Sequence, residues 1–163
     1  MIDTNRRTVL ALGALLAAVP ATGFAKPAKP PVVLFICEFG TAKSAIAREL
    51  FRKRAHERGI AVTAFSRGLQ IEDHISLPLK RRLDAEGIDS RRDGFAVLAS
   101  KDVRAADIVV TFAMLPVAYH PRQLLDWTTL PSVNDAYPVA RADLDKRIEG
   151  LLDTIVASTG RRK

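Results

Sequence analysis

The one cysteine of the 163-residue chain ends an apolar run, Val32-Val33-Leu34-Phe35-Ile36-Cys37. A stretch of Glu38-Phe39-Gly40-Thr41-Ala42 separates it from Lys43-Ser44 and a helix-patterned segment. A thiol at a strand end, facing a helix N-terminus, lies where backbone N–H groups and the helix dipole favour negative charge. A thiolate is stabilised there, and an anion can bind. Cys-x5-[basic]-Ser on such a turn suits displacement at a tetrahedral oxyanion. The five intervening amides, of Glu38, Phe39, Gly40, Thr41 and Ala42, can surround its oxygens, and a thiolate beneath can attack phosphorus in line. The Lys43 cation can neutralise the equatorial oxygens as charge shifts in the transition state. The Ser44 hydroxyl can hydrogen-bond the thiolate, and Gly40 gives a tight loop access to positive φ. The competing reading of Cys37 is an inert core thiol, because free cysteine is often buried. Its strand-end position and the Gly-x-x-Lys-Ser sequence favour chemistry.

The elements that must hold this loop alternate in type. Val32–Cys37 is apolar throughout, the pattern of a strand buried on both faces. Ile46, Ala47, Leu50, Phe51 and Ala55 predict a helix over residues 43–58, ended by Gly59. Residues 61–66 form a second strand pattern. Leu79 and Leu83 predict a helix over 78–86 that stops at Gly87. Ser100 is a candidate cap for a short helix over 101–105. Strand patterns follow at 108–112 and 124–128. Leu144, Ile148, Leu151, Leu152 and Ile155 mark an amphipathic final helix. The expected fold is a single α/β domain, a four-stranded parallel sheet with helices on both faces and the anion loop after the first strand. Ligands of such sheets bind beyond the carboxyl ends of the strands, where Cys37 lies.

Composition narrows the function class. The formal net charge of +7 suits an anionic ligand. The pairs Arg81-Arg82, Arg91-Arg92 and Arg161-Arg162 are scattered, and aromatics are only 6%, so no stacking platform for nucleic acid is expected. A single cysteine rules out an intrachain disulfide and a CxxC site. His56, His74 and His120 lack metal-ligand spacing. No metal or cofactor is therefore expected.

The N-terminus reads as a targeting segment. Arg6-Arg7-Thr8 precedes an apolar stretch of about a dozen residues, Val9 to Pro20, and small residues surround a cleavage point after Ala25. Residues 1–25 thus resemble a twin-arginine export signal. The apolar core falls short of the roughly 20 residues that span a bilayer, so no lasting membrane insertion is expected after cleavage. Residues 26–31 form a Pro-rich linker, 32–158 the domain and 159–163 a basic tail. The expected address is periplasmic or secreted, in a bacterium.

VLFICEFGTAKSAIAREL resembles the N-terminal signature of low-molecular-weight protein tyrosine phosphatases, a strand followed by Cys-x5-Arg-Ser and a helix. The related thioredoxin-coupled arsenate reductases share it. Leu83-x3-Gly87-Ile88-Asp89, Ala106-Asp107-Ile108-Val109-Val110-Thr111 and Asn134-Asp135-Ala136-Tyr137 resemble further segments of the family, the last its Asp-Pro-Tyr segment. The resemblance implies hydrolysis of phosphate monoesters through a phosphocysteine at Cys37. It implies Ser44 as the group assisting the thiolate and Asp135 as the general acid, later the base that activates water. The cradle would be Glu38 to Lys43, and Tyr137 would flank an aromatic substrate. A phosphorylated protein or a small aryl phosphate would be the partner. Turn chemistry alone also accounts for Asn134-Asp135.

The chain departs from that pattern at several positions. Lys43 replaces the loop arginine, keeping charge but losing the planar bidentate fork. Arg48, over a helical turn further on, is a poor substitute. Glu38 adds negative charge to the anion loop, Ala42 stands where many members have a second cysteine, and Ala136 replaces a proline. With one cysteine, an arsenate reductase's internal disulfide relay is impossible, and a reductase would need an external thiol. Besides hydrolysis, two readings stay open: a non-catalytic phosphate or oxyanion-binding module, and an arsenate reductase-like enzyme. The sequence does not specify the oligomeric state.

Overall fold

Val32–Cys37 (β1) is buried at every position because both of its faces are covered. In the computed structural model, which describes residues 29–160, β1 lies inside a four-stranded parallel sheet of order β2-β1-β3-β4. The others are Thr63–Gly68 (β2), Ile108–Thr111 (β3) and Leu124–Asp126 (β4). Side chains alternate between sheet faces along a strand. Val33, Phe35 and Cys37 accordingly join one core with residues of Lys43–Glu57 (α1), Leu77–Glu86 (α2) and Tyr137–Gly160 (α4). Leu34 and Ile36 join a second core with Leu98 and with Val103 of Ser100–Ala105 (α3). The expected single α/β domain with helices on both faces is the architecture observed. Residues 1–25, read as an export signal, residues 26–28 of the expected linker and residues 161–163 of the expected tail lie outside the described residues. Among the described residues, no helix is long and apolar enough to cross a membrane.

Register sets the working edge. Cys37 pairs with Gly68, Ile36 with Thr111, and Thr111 with Asp126. All four strands are parallel, so the loops after them share one edge. Chain order reverses beside β1, which is the switch point where such sheets hold ligands.

Several element ends differ from the sequence reading. β2 starts at Thr63, whose N–H bonds the Pro31 carbonyl at 2.9 Å, and runs on to Gly68 instead of stopping at Ser66. Ser100 does not cap α3. Ala99 is the N-cap residue, and its N–H donates to the Asp102 carboxylate at 2.9 Å. β4 stops at Asp126 because that carboxylate accepts the Thr128 N–H at 2.8 Å, turning the chain. Ser76 caps α2 by accepting the Leu79 N–H at 3.3 Å.

Arg48, one of the largest fully buried side chains, is only 1% exposed. Its guanidinium donates to Ser66 Oγ (2.9 Å), the Ser90 carbonyl (3.0 Å) and Glu49 Oε1 (3.0 Å), so it ties α1 to β2 and to the segment after α2. The guanidinium is thereby committed to structure rather than to the anion loop. Removing it leaves buried acceptors unpaired, which costs more than the bonds contribute net. Arg48→Met is expected to lower stability by about 3 kcal/mol. Urea unfolding checks this, and a wild-type midpoint would refute it.

Candidate active site

The loop after β1 takes its shape from an unusual run of carbonyls. The carbonyls of Cys37, Glu38 and Phe39 accept the N–H groups of Leu69 (3.0 Å), Gln70 (2.9 Å) and Glu72 (3.4 Å). No peptide bond among the described residues is cis. Across a trans peptide the next N–H points opposite to the carbonyl. The N–H groups of Glu38, Phe39 and Gly40 therefore all point away from residues 69–72. Ala42 caps α1 without a side-chain hydrogen bond, leaving the helix N-terminus without the usual side-chain acceptor. Together these donors form a nest suited to an oxyanion.

Two glycines permit this closeness. Gly40 has φ +68°, and a Cβ there would lie 2.8 Å from Ile71 Cδ1 and 2.9 Å from Gly68 N. A Cβ on Gly68 would meet the Gln70 carbonyl oxygen at 2.1 Å. Gly40 is legible from its place in the motif. Gly68 is not, since the need for it appears only once the fold lays the Gln70 carbonyl and the Gly40 backbone against it.

Cys37 is 6% exposed, with Sγ 3.0 Å from Ser44 Oγ. The strand end and the first helical turn place this pair, which requires no distant contact. Lys43, at the end of the loop, donates from Nζ to the Leu130 carbonyl at 2.6 Å. Burial lowers its ammonium below the ordinary 10.5, while negative charge at Cys37 opposes that shift. The hydrogen bond holds the cation on the segment after β4. Glu38 is exposed, and its carboxylate accepts from Gln70 Nε2 at 3.1 Å. Thr41 Oγ1 donates to the Glu72 carbonyl at 2.8 Å and accepts the His74 N–H at 3.3 Å. The Phe39 and His74 rings lie 4.7 Å apart.

Asp135 lies on the segment between β4 and α4, on the same sheet edge. Trp127, Leu130, Val133 and Tyr137 anchor that segment in the core. The exposed Asp135 carboxylate accepts from Ser132 Oγ at 2.6 Å. Among the described residues it makes no hydrogen bond to Cys37, Lys43 or Ser44. Tyr137 departs from the expectation of a substrate-flanking ring. It is 5% exposed and belongs to the core, so its faces are already covered. Burial pushes its hydroxyl well above the ordinary phenol value, and the Glu86 carboxylate acts in the same direction. The segment 69–76, which braces the anion loop, carries no motif that marks it in the sequence. No group of three or more His, Cys, Asp or Glu residues is placed to hold a metal among the described residues.

Solved structures share this architecture. YfkJ from Bacillus subtilis superposes with a TM-score of 0.68 at 16% identity, covering 82% of this chain and 99% of that one. A low molecular weight protein tyrosine phosphatase from T. tengcongensis gives 0.60 at 21%, covering 76% and 99%. A thioredoxin-dependent arsenate reductase from Corynebacterium glutamicum gives 0.62 at 28%, covering 82% of this chain and 65% of that one. No curated protein matches the sequence. Residues 32–122, which carry the anion loop and the first three strands, match the family profile of low molecular weight phosphotyrosine protein phosphatases, and the chain belongs to that family.

Proposed function

We propose that the protein hydrolyses phosphate monoesters, of phosphotyrosine-like proteins or small aryl phosphates, through a phosphocysteine intermediate. The observation that carries this reading is the Cys37–Ser44 pair, 3.0 Å apart, at the two ends of a loop whose successive amides turn away from residues 69–72. The Cys37 thiolate attacks phosphorus, forming an S–P bond as the ester P–O bond breaks. The protonated Asp135 gives its proton to the departing oxygen. Ionised Asp135 then takes a proton from water, which attacks phosphorus, breaks the S–P bond and releases phosphate and the thiolate. Ser44 donates a hydrogen bond to that thiolate, and the loop amides and Lys43 hold the equatorial oxygens. Steady hydrolysis of an aryl phosphate by the purified protein, together with an acid-quenched phosphocysteine at Cys37, tests the reading. Absence of both overturns it.

A binding-only reading is favoured by one observation, the commitment of the Lys43 ammonium to Leu130. Phosphate titration with measurable heat but no turnover by either wild type or Lys43→Arg would support it. Similarity to the Corynebacterium enzyme favours a third reading, arsenate reduction with an external thiol, since Cys37 is the chain's one cysteine. Arsenate-dependent thiol consumption would support that alternative. Export of the folded domain on the residue 1–25 signal is part of the proposal, and it puts the reaction outside the cytoplasm.

A further inference from the structure

We propose that Asn134 is a positioning residue that clamps the general acid to the anion loop; this rests on the hydrolase reading above. Asp135 is exposed and sits on a connecting segment, where a carboxylate is free to wander unless its neighbours hold it. Ala136, directly after it, imposes none of the φ constraint that a proline ring would. The structure replaces that constraint with hydrogen bonds.

The Asn134 side chain uses both ends. Oδ1 accepts the Ser76 N–H at 3.0 Å, and Nδ2 donates to the His74 carbonyl at 2.8 Å. The segment it grips is the one braced on the anion loop, where the His74 N–H meets Thr41 Oγ1 and the His74 ring meets Phe39. A continuous set of contacts therefore runs from the cradle, through Thr41 and His74, to Asn134. Asp135 is the next residue. Ser132 completes the turn from the other side: its hydroxyl donates to the Asp135 carboxylate at 2.6 Å, and its carbonyl accepts the Ala136 N–H at 2.9 Å. That last bond requires a residue with an N–H after the acid, as alanine has and proline does not.

Asparagine is suited to this place because it carries a donor and an acceptor on one short planar group. Asn134→Asp keeps the acceptor for Ser76 and loses the donor to His74. Asn134→Ala loses both. Neither change removes a group that touches phosphate. The cost therefore falls on the two proton transfers of Asp135, to the leaving oxygen and from water, where a displacement of about 1 Å is enough to slow a step severely.

The test measures kcat and KM for a series of aryl phosphates with leaving groups of increasing basicity. Wild type, Asn134→Ala, Asn134→Asp, Asp135→Asn and the double variant Asn134→Ala/Asp135→Asn are compared. Asn134→Ala is expected to lower kcat/KM by on the order of 10-fold for basic leaving groups and little for acidic ones, whose loss appears in kcat through slower hydrolysis of the phosphocysteine. Asn134→Asp is expected to fall between it and wild type. In the Asp135→Asn background the same alanine change is expected to have no further effect, because the group it positions is already gone. Uniform loss of kcat/KM across leaving groups, or an undiminished effect in the double variant, would show that Asn134 acts through general loop stability and overturn the proposal. Wild-type kcat and kcat/KM in both Asn134 variants would overturn it while leaving the hydrolase reading intact. Absence of turnover by the wild type overturns both.

Discussion

Cys37→Ser is expected to lower aryl-phosphate turnover by at least about 10⁴-fold while leaving inorganic phosphate binding largely in place. The two outcomes separate because different atoms are responsible. Attack on phosphorus needs the negative charge and polarisable lone pair of a thiolate. A serine hydroxyl holds its proton far more tightly, and Ser44 Oγ, 3.0 Å away, is a hydrogen-bond partner rather than a base. Binding instead depends on the backbone amides of the loop, whose orientation follows from carbonyls that bond residues 69–72. Serine leaves that ladder untouched. Initial rates and calorimetric phosphate titration on the same preparation check the two halves. Turnover by Cys37→Ser comparable to wild type would dismiss the covalent mechanism.

The second large effect is expected at Asp135. Positioned acid–base groups contribute typically 10²–10⁴-fold, so Asp135→Asn should reduce kcat by about 100-fold or more on a poor leaving group. The change keeps side-chain size and an oxygen able to accept from Ser132, so the turn at 2.6 Å can persist. Only the proton is withdrawn. An activated leaving group departs without help, so the first step is largely spared. Hydrolysis of the phosphocysteine still needs the base, and a burst of released phenol followed by a slow phase should appear in stopped-flow traces. Equal rates for Asp135→Asn and wild type on a poor leaving group would assign the acid to another residue.

Both expectations concern residues that the amino-acid sequence marks, yet it marks them for unequal reasons. Cys37 stands out by local pattern: an uninterrupted apolar strand, a five-residue loop with Gly40 and a helix start. Asp135 rests on likeness to a family segment alone. The two differ again in the structure. Cys37 meets Ser44 directly, whereas Asp135 bonds its own turn and depends on others for its orientation. Tyr137 departs from its expected role for a related reason. Its place in a motif-like segment says nothing about rotation, and the first turn of α4 directs its ring into the core. The strand ends differ where side chains redirect the backbone, as Asp126 does at β4.

The sequence by itself determined the loop after the first strand, its thiol and hydroxyl, and the sheet with helices on both faces. Those features follow from side-chain periodicity and from contacts within seven residues along the chain. Only the tertiary structure decided where the Lys43 ammonium goes, why Gly68 must lack a side chain and how Asn134 reaches His74 and Ser76. Apart from the Gln70 carbonyl beside Gly68, the partners in those contacts are far apart in sequence: Lys43 and Leu130 are separated by 87 positions, Asn134 and His74 by 60. The parallel register brings them together by aligning four strand ends on one edge, and no local spacing encodes which loops then touch.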